Sequence, residues 1–334
     1  MPPKVSILIP TYNHGHFLDE AIQSALSQTF TDFELIIVDN CSTDNTDEVV
    51  VKYLTDKRVS YVKNERNLGL VGNWNKCLEL ANGEYIKFLC SDDKFHPQLL
   101  EKFVPIMDQY PNVSVVTSNK IYFGSIDETV FLPFNHLVPG KEMIYQTLLI
   151  TDFIGDPTCV MIRKSNLKLG GFRTDMLWIV DWEMWIRHLL VGDCYVVPDI
   201  LLYTRKHAEQ NTNAVVKKNF LHRFSEYEFF KMLRDNNRYD LDVSVVNIDK
   251  LVKKKATECT KHVVYKQLHR LYIPKTRQAF KKALKIAVHE RVLFSSLGEI
   301  LVGYKNKFTN KLLGKKKPQP NSKQKVSKIT AVSY

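Results

Sequence analysis

The stretch VSILIPTYNHGHFLDEAIQSALSQTFTDFELIIVDNCSTDNT (5–46) decides the fold. At its head, KVSILI (4–9) is a β-branched, apolar run stopped by Pro10, which reads as a buried strand. Residues 16–29 put Phe17, Ala21, Ile22, Ala25 and Leu26 on one helical face. ELIIV (34–38) is a second strand ending at Asp39, and 44–54 a helix with Asp44 as its expected N-cap. The pattern then repeats. Strand 58–63 precedes helix 70–81, with Asn82-Gly83 as the expected C-cap, and strand 84–89 ends at Ser91-Asp92-Asp93. Strands alternating with helices imply βαβ units and an α/β fold with a doubly wound, mostly parallel sheet.

Beyond residue 90 the signal weakens. Helix 96–110 and strand 113–117 are expected, then an irregular stretch over 124–156. After it come a strand at 159–162, a helix starting at 164, helix 180–190 and strand 195–206. From about 216 the chain reads as helical and basic, and 315–334 as a tail without fixed structure. The expected organisation is one α/β domain over 1–215, with halves at about 1–120 and about 121–215. A helical extension over 216–314 follows.

Composition sets outer bounds. The chain has 334 residues, 44% apolar and 25% charged, enough for a sizeable core. Residues 251–334 hold 21 Lys and Arg against 3 Glu, whereas 1–250 hold 26 basic and 33 acidic residues. The net charge of +11 is thus a basic C-terminal segment attached to an acidic remainder. Six cysteines form no CxxC pair, so reduced thiols in a cytoplasmic protein are expected. Neither a signal peptide nor a membrane-spanning run is apparent.

In doubly wound sheets, ligands bind beyond the carboxyl ends of the strands. Polar clusters fall there: Thr11-Tyr12-Asn13, Asp39-Asn40 and Ser91-Asp92-Asp93. Adjacent carboxylates are poor for structure, since like charges repel and neither is cheaply buried. A hard divalent cation, Mn2+ or Mg2+, removes that conflict and bridges to diphosphate oxygens. An N-cap and surface turn before His96-Pro97 accounts for the pair equally well. Asp39 reads either as an acceptor for a base or ribose, or as a turn former.

The chain resembles a family-two glycosyltransferase of GT-A fold. The resemblance rests on 5–46, ERNLGLVGNWNKCLELANGEYIKFLCSDD (65–93), VMIRKSNLKLGGFRTDM (160–176), VDWEMWIRHL (180–189) and LLYTRKH (201–207). These five segments, in order, cover roughly residues 4–210, and the resemblance implies that 1–215 is the catalytic domain, with a nucleotide-sugar half at about 1–120 and an acceptor half at about 121–215. The resemblance implies that Pro10, Thr11 and Tyr12 line a nucleotide pocket, that Asp39 holds the base, and that Arg66, Asn67 and Gly69 lie near the nucleotide. It implies that Asp92 faces the ribose or donor sugar, Asp93 binds the metal, Asp181 is the catalytic base, and His207 touches diphosphate or metal. Four positions depart from the family pattern: Asn40 follows Asp39, Cys90 and Ser91 precede the aspartate pair, and Val180 precedes Asp181.

The implied reaction is an inverting transfer from a nucleotide-diphosphate sugar, a UDP-sugar by resemblance, to a saccharide or lipid-linked acceptor hydroxyl. Surface polysaccharide or glycolipid synthesis is the expected setting. Apolar neighbours around Asp181 raise its proton affinity towards a useful range, although an N-cap role also fits. Trp182 and Trp185 are candidate acceptor platforms, with core packing the alternative, especially for Trp185. Trp74 reads as core, and His14 and His16 as solvent-facing. The Gly170-Gly171-Phe172 turn reads as a packing anchor bordering the acceptor.

Residues 276–301 set Phe280, Leu284, Ala287 and Val288 on one face and read as a packed helix with a solvated basic face, or else 276–328 contacts anionic membrane. The latter implies a peripheral location on a cytoplasmic membrane face. Nucleic acid is not expected as a partner, because aromatics are not interleaved with the basic residues. The competing reading is a non-catalytic, nucleotide-sugar-binding scaffold with a degraded site.

Overall fold

A computed structural model describes residues 2–150, 152–176, 178–210, 221–237, 239–242, 246–267, 273–300 and 325–328. They fall into two compact units: Met1–Asp175, Val180–His207 and Gln324–Tyr334 form the first, and Met176–Ile179 with Ala208–Lys323 the second.

The first unit is built on the alternation expected: β1 (Val5–Thr11), α1 (Gly15–Leu26), β2 (Phe33–Asp39), α2 (Thr46–Val51), β3 (Val59–Lys63), α3 (Gly69–Leu80) and β4 (Tyr85–Phe88). β1 pairs in parallel with β2 on one side and β4 on the other, and β2 with β3. All seven residues of β1 are buried, as a strand covered on both faces requires. The chain winds outward from β1 to β3, then crosses back to β4, so the winding reverses between β1 and β4. The carboxyl ends of those two strands therefore flank a crevice.

The remaining elements are β5 (Lys94–Phe95), α4 (Leu99–Gln109), β6 (Val113–Gly124), β7 (Glu128–Phe131), β8 (His136–Val138), α5 (Gly140–Leu149), β9 (Met161–Arg163), α6 (Val180–Leu189) and β10 (Asp193–Lys206). β9 runs antiparallel between β4 and β6, and β10 pairs in parallel with β6. The fold is α/β with a large mixed sheet.

Four local expectations change. The 124–156 stretch is not irregular, for it holds β7, β8 and α5. Strands of three or four residues are too short to show a period. Gly140 opens α5 where a Cβ would meet the Leu189 and Gly192 carbonyls at 2.1 and 2.2 Å. β6 runs on to Gly124 because its polar residues find partners inside: Asn119 donates to the Pro198 carbonyl at 2.6 Å and accepts from the Leu132 N–H at 2.8 Å. The helix expected from 44 begins at Thr46, so Asn45 holds the N-cap position and Asp44 sits one residue before it. Its carboxylate accepts from the Thr46 N–H and, at 2.9 Å, from the Gly15 N–H that opens α1. Gly83 is needed for close approach, not as a left-handed cap, since a Cβ there would sit 2.4 Å from the Ser6 nitrogen.

The second unit contains α7 (Leu221–Asn236), α8 (Ile248–Gln267) and α9 (Pro274–His289). Its core includes Phe230, Leu233, Val252, Ala256, Val263, Ala283 and Ala287. Glu290 ties it by accepting from Tyr227 Oη at 2.8 Å and Arg234 Nη1 at 2.6 Å. The 276–301 segment is not one helix: α9 ends at His289, Arg291 turns at φ 57°, and a further helix covers 293–300. Most of the expected tail lies outside the described residues, as do 301–324; within the tail, Lys325–Lys328 forms β11, parallel to β7. No helix among the described residues is long and apolar enough to cross a membrane.

Candidate active site

Loops at the ends of β1, β2 and β3 form one wall of the crevice. Asp39 closes β2 and is fully buried. It accepts from the Ser42 N–H at 3.0 Å and Tyr61 Oη at 3.1 Å, with Lys63 Nζ 3.7 Å away. Asn13, at φ 51°, receives the Thr43 N–H on its side chain and donates its own N–H to Ser42 Oγ, joining the first two loops. Thr11 is buried and Tyr12 exposed. Burial acts to raise the Asp44 pKa, but hydrogen bonds from Thr46 and Gly15 outweigh it and lower the value.

Asn40, one of the departures from the family pattern, has a structural reason. Its amide nitrogen donates to Asn67 Oδ1 at 2.9 Å and the Gly69 carbonyl at 3.2 Å, while its oxygen accepts from the Leu68 N–H at 2.7 Å. An aspartate has no donor for the first two. Arg66 stands exposed on the loop so braced, and Gly69 turns it at φ 75°.

The opposite wall follows β4. Asp93 is buried: its Oδ2 accepts from Thr158 Oγ1 at 2.6 Å and its Oδ1 from the Arg205 N–H at 2.8 Å. Burial and then the charge of Asp92 hold its pKa well above the usual carboxylate range. Asp92 lies nearer the surface, with Oδ2 2.8 Å from His207 Nε2. Arg205 also donates from Nε to the Asp92 carbonyl, pairs with Glu20, and stacks on Phe17 and Phe123. Potential ligand atoms of Cys90, Asp92 and Asp93 all lie within 4.8 Å of one another.

His14 faces this wall, correcting its expected solvent position. Its Nδ1 is 3.0 Å from Ser91 Oγ and its ring centroid 5.9 Å from that of His207. No local feature of the sequence announces this, because the contact spans 77 residues.

Asp181 is the second residue of α6, and Ile179, which precedes that helix, is held at φ 57°, a strained conformation for a β-branched residue. Its carboxyl accepts from the Trp182 N–H at 2.9 Å. Burial, then the charges of Asp152 and Asp156, push its pKa up to about 8. The Trp182 side chain hydrogen-bonds Asp152, whose own pKa burial raises. Asp156 acts electrostatically on both Asp181 and Asp93, so all three carboxylates bear on one region. Asp152, Asp156 and Thr158 went unread in the sequence, because the 152–159 segment lies in the stretch without periodicity.

Trp185 is not an acceptor platform. It is 1% exposed, its indole N–H donates to the Gly155 carbonyl at 3.1 Å, and Phe172 packs edge-on against it. Phe172 also packs on Trp74 and Phe88. Arg187 binds Glu183 and the carbonyls of Leu169, Gly170 and Gly171, fastening the Gly170-Gly171-Phe172 turn to α6.

A doubly wound sheet takes its ligand where its winding reverses, and here that point carries the Asp92-Asp93 turn. Residues 6–170 match Glycosyl transferase family 2, and the chain belongs to that family: it is a glycosyltransferase. A Bacillus subtilis (strain 168) protein named "Putative teichuronic acid biosynthesis glycosyltransferase TuaG" is 41% identical over 193 residues, covering 57% of this chain and 73% of its own. An uncharacterized Mycobacterium tuberculosis (strain CDC 1551 / Oshkosh) protein is 32% identical over 236 residues, 66% of this chain and 73% of its own. Among solved structures, residues 1–349 of S. aureus TarS in complex with UDP-GlcNAc superpose with a TM-score of 0.64 at 18% identity, covering 96% of this chain and 95% of that one. The Pyrobaculum calidifontis mannosyltransferase PcManGT with GDP-Man and Mn2+ gives 0.50 at 15% identity, covering 95% and 89%. These two establish likeness of fold.

Proposed function

We propose that the protein transfers a sugar from a nucleotide-diphosphate donor, a UDP-sugar, to a hydroxyl of a saccharide or lipid-linked acceptor, with inversion, during synthesis of a surface polysaccharide or glycolipid. The observation that carries this reading is Asp181, a carboxyl of raised proton affinity that shares the neighbouring charge of Asp156 with Asp93 of the aspartate turn. The name of the B. subtilis relative supports the polysaccharide setting, and the TarS complex with UDP-GlcNAc supports the donor class.

The carboxylates of the turn fit a hard divalent cation. Both oxygens of Asp93 receive internal hydrogen bonds, whereas Asp92 lies nearer the surface with the His207 imidazole beside it. We therefore exchange the parts assigned from sequence: Asp92 and His207 hold the cation, and Asp93 fixes the turn from behind. An imidazole beside a carboxylate suits Mn2+ better than Mg2+. The cation supplies Lewis-acid compensation for the charge gathering on the departing nucleoside diphosphate.

Thr11, Tyr12, Asp39, Arg66, Asn67 and Gly69 form the nucleotide side of the crevice in this reading. Trp182, its ring tethered to Asp152, offers a face for the acceptor sugar. Asp181 takes the acceptor hydroxyl proton as that oxygen attacks the anomeric carbon, and attack opposite the leaving group inverts the centre. Retained configuration in the product, read by NMR, would contradict this.

The first test is thermal stabilisation by a panel of nucleoside diphosphates, each with and without Mn2+. A ligand at about 100 times its dissociation constant adds roughly 2.7 kcal/mol, which raises the melting temperature by several degrees. We expect a Mn2+-dependent rise with UDP. No rise with any nucleotide, in folded protein, overturns the donor-site reading.

The second unit supports a lipid partner. Arg277, Lys281, Leu284, Lys285 and Val288 recur along one face of α9 and are all exposed. Val288 is 58% and Phe294, in the next helix, 87% exposed. Cations beside outward apolar side chains complement an anionic lipid surface, at about 1 kcal/mol per basic residue. The full-length protein is expected to pellet with phosphatidylglycerol vesicles at low salt. Lys281→Glu with Lys285→Glu should cut the bound fraction at least about tenfold. Equal pelleting of the double variant would remove this face from consideration.

A further inference from the structure

Lys87 sits in the middle of β4 with no exposed surface, between the apolar neighbours Ile86 and Phe88. Its ammonium lies over the rings of Phe95 and Phe103, at 4.6 and 6.0 Å. Burying a lysine costs free energy, and an apolar side chain of similar length would fill the same space at less cost. Stability of the sheet therefore does not explain this residue.

Its hydrogen bonds do. Lys87 Nζ donates to the carbonyl oxygen of Thr158 and, at 3.3 Å, to that of Val160. The hydroxyl of the gripped Thr158 donates to Asp93 at 2.6 Å and accepts from the Cys90 N–H at 2.9 Å. Thr158 thus holds both ends of the turn that carries Asp92. On β6, separated from β4 by β9, the buried Lys120 contacts Cys159 at 3.7 Å and acts electrostatically on Asp152 and Asp156. The 152–160 segment is pinned from below by two lysines while its upper side touches the aspartate turn and the surroundings of Asp181.

We propose that Lys87 is a positioning residue for donor binding: through Thr158 it sets the conformation of the Cys90–Asp93 turn and so the placement of Asp92. This rests on the reading of Asp92 and Asp93 as the donor site. Lys87 touches neither donor nor acceptor; it acts only through the turn.

The experiment compares full-length wild type with Lys87→Met, Thr158→Val and the double variant, using UDP with Mn2+ as the probe. Melting temperature and UDP–Mn2+ affinity are both measured. A residue supporting a binding group from behind typically contributes about 10–100-fold in affinity. Lys87→Met is expected to melt at or above the wild-type temperature while binding UDP–Mn2+ at least about tenfold more weakly. Thr158→Val should show a similar loss, and the double variant should be no worse than the weaker single, because both act through one linkage. Lys87→Met binding within about twofold of wild type overturns the proposal. So does a lower melting temperature with unchanged affinity of the folded fraction, which marks a purely structural lysine. If Lys87→Met does not fold, Thr158→Val decides alone, and unchanged affinity there also overturns it. Failure of wild type itself to bind any nucleoside diphosphate overturns the donor-site reading and this assignment with it.

Discussion

Asp181→Asn is expected to lower kcat by about 100- to 10 000-fold, the range a positioned general base supplies, while UDP–Mn2+ affinity stays near wild type. Asparagine keeps the shape and can still accept the Trp182 N–H, but it cannot take a proton. The Asp181 pKa of about 8 also fixes the pH profile. The base works deprotonated, so wild-type activity at low substrate should climb with pH, pass half its plateau near about 8 and level off above that. Stability runs the other way. The folded pKa lies above the unfolded value near ~3.9. The contribution of this group is complete below that value and is lost as the pH rises to about 8. The substituted asparagine carries no charge to bury, so Asp181→Asn should melt higher than wild type at about pH 8 and lose the activity limb. Turnover kept above roughly a tenth of wild type would remove Asp181 from the role of base.

The second large effect belongs to the aspartate turn. Asp92→Asn, or chelation of divalent cation from the wild type, should lower activity at least about 100-fold, the scale of losing one preorganised electrostatic contact at a developing charge. The two carboxylates separate in a Mn2+ titration. Asp92→Asn should shift half-activation to far higher Mn2+ than Asp93→Asn does, because Asp93 spends its oxygens on Thr158 and the Arg205 N–H. His207→Ala should shift it in the same direction as Asp92→Asn, since the imidazole lies 2.8 Å from the Asp92 carboxylate. The reverse order, with Asp93→Asn the more severe, would restore Asp93 as the cation's ligand.

The first 90 residues were readable because the parallel strands at the centre of the sheet are buried on both faces and so are spelled as nearly unbroken apolar runs. The carboxylates at the ends of β2 and β4 stood out for the same reason, as charge where apolar residues stop. The reading failed where elements are short or polar. β8 has three residues, and the buried end of β6 reads SNK because its amide and ammonium groups have partners inside the fold. Trp182 and Trp185 look alike in sequence, yet one is half-buried against Asp152 and the other is core.

The sequence by itself determined the βαβ alternation and the acidic residues, Asp39 and Asp92-Asp93, that follow the strands at the ligand-binding end of such a sheet. Local periodicity and the chemistry of strand ends suffice for those. Only the tertiary structure decided the surroundings of each acid. Thr158 reaches Asp93 across 65 residues, His14 reaches Ser91 across 77 and the Arg205 N–H reaches Asp93 across 112. Burial, neighbouring charge and hydrogen bonding, which set whether a carboxylate holds a cation, takes a proton or braces a loop, are properties of those long-range contacts and leave no mark on local sequence.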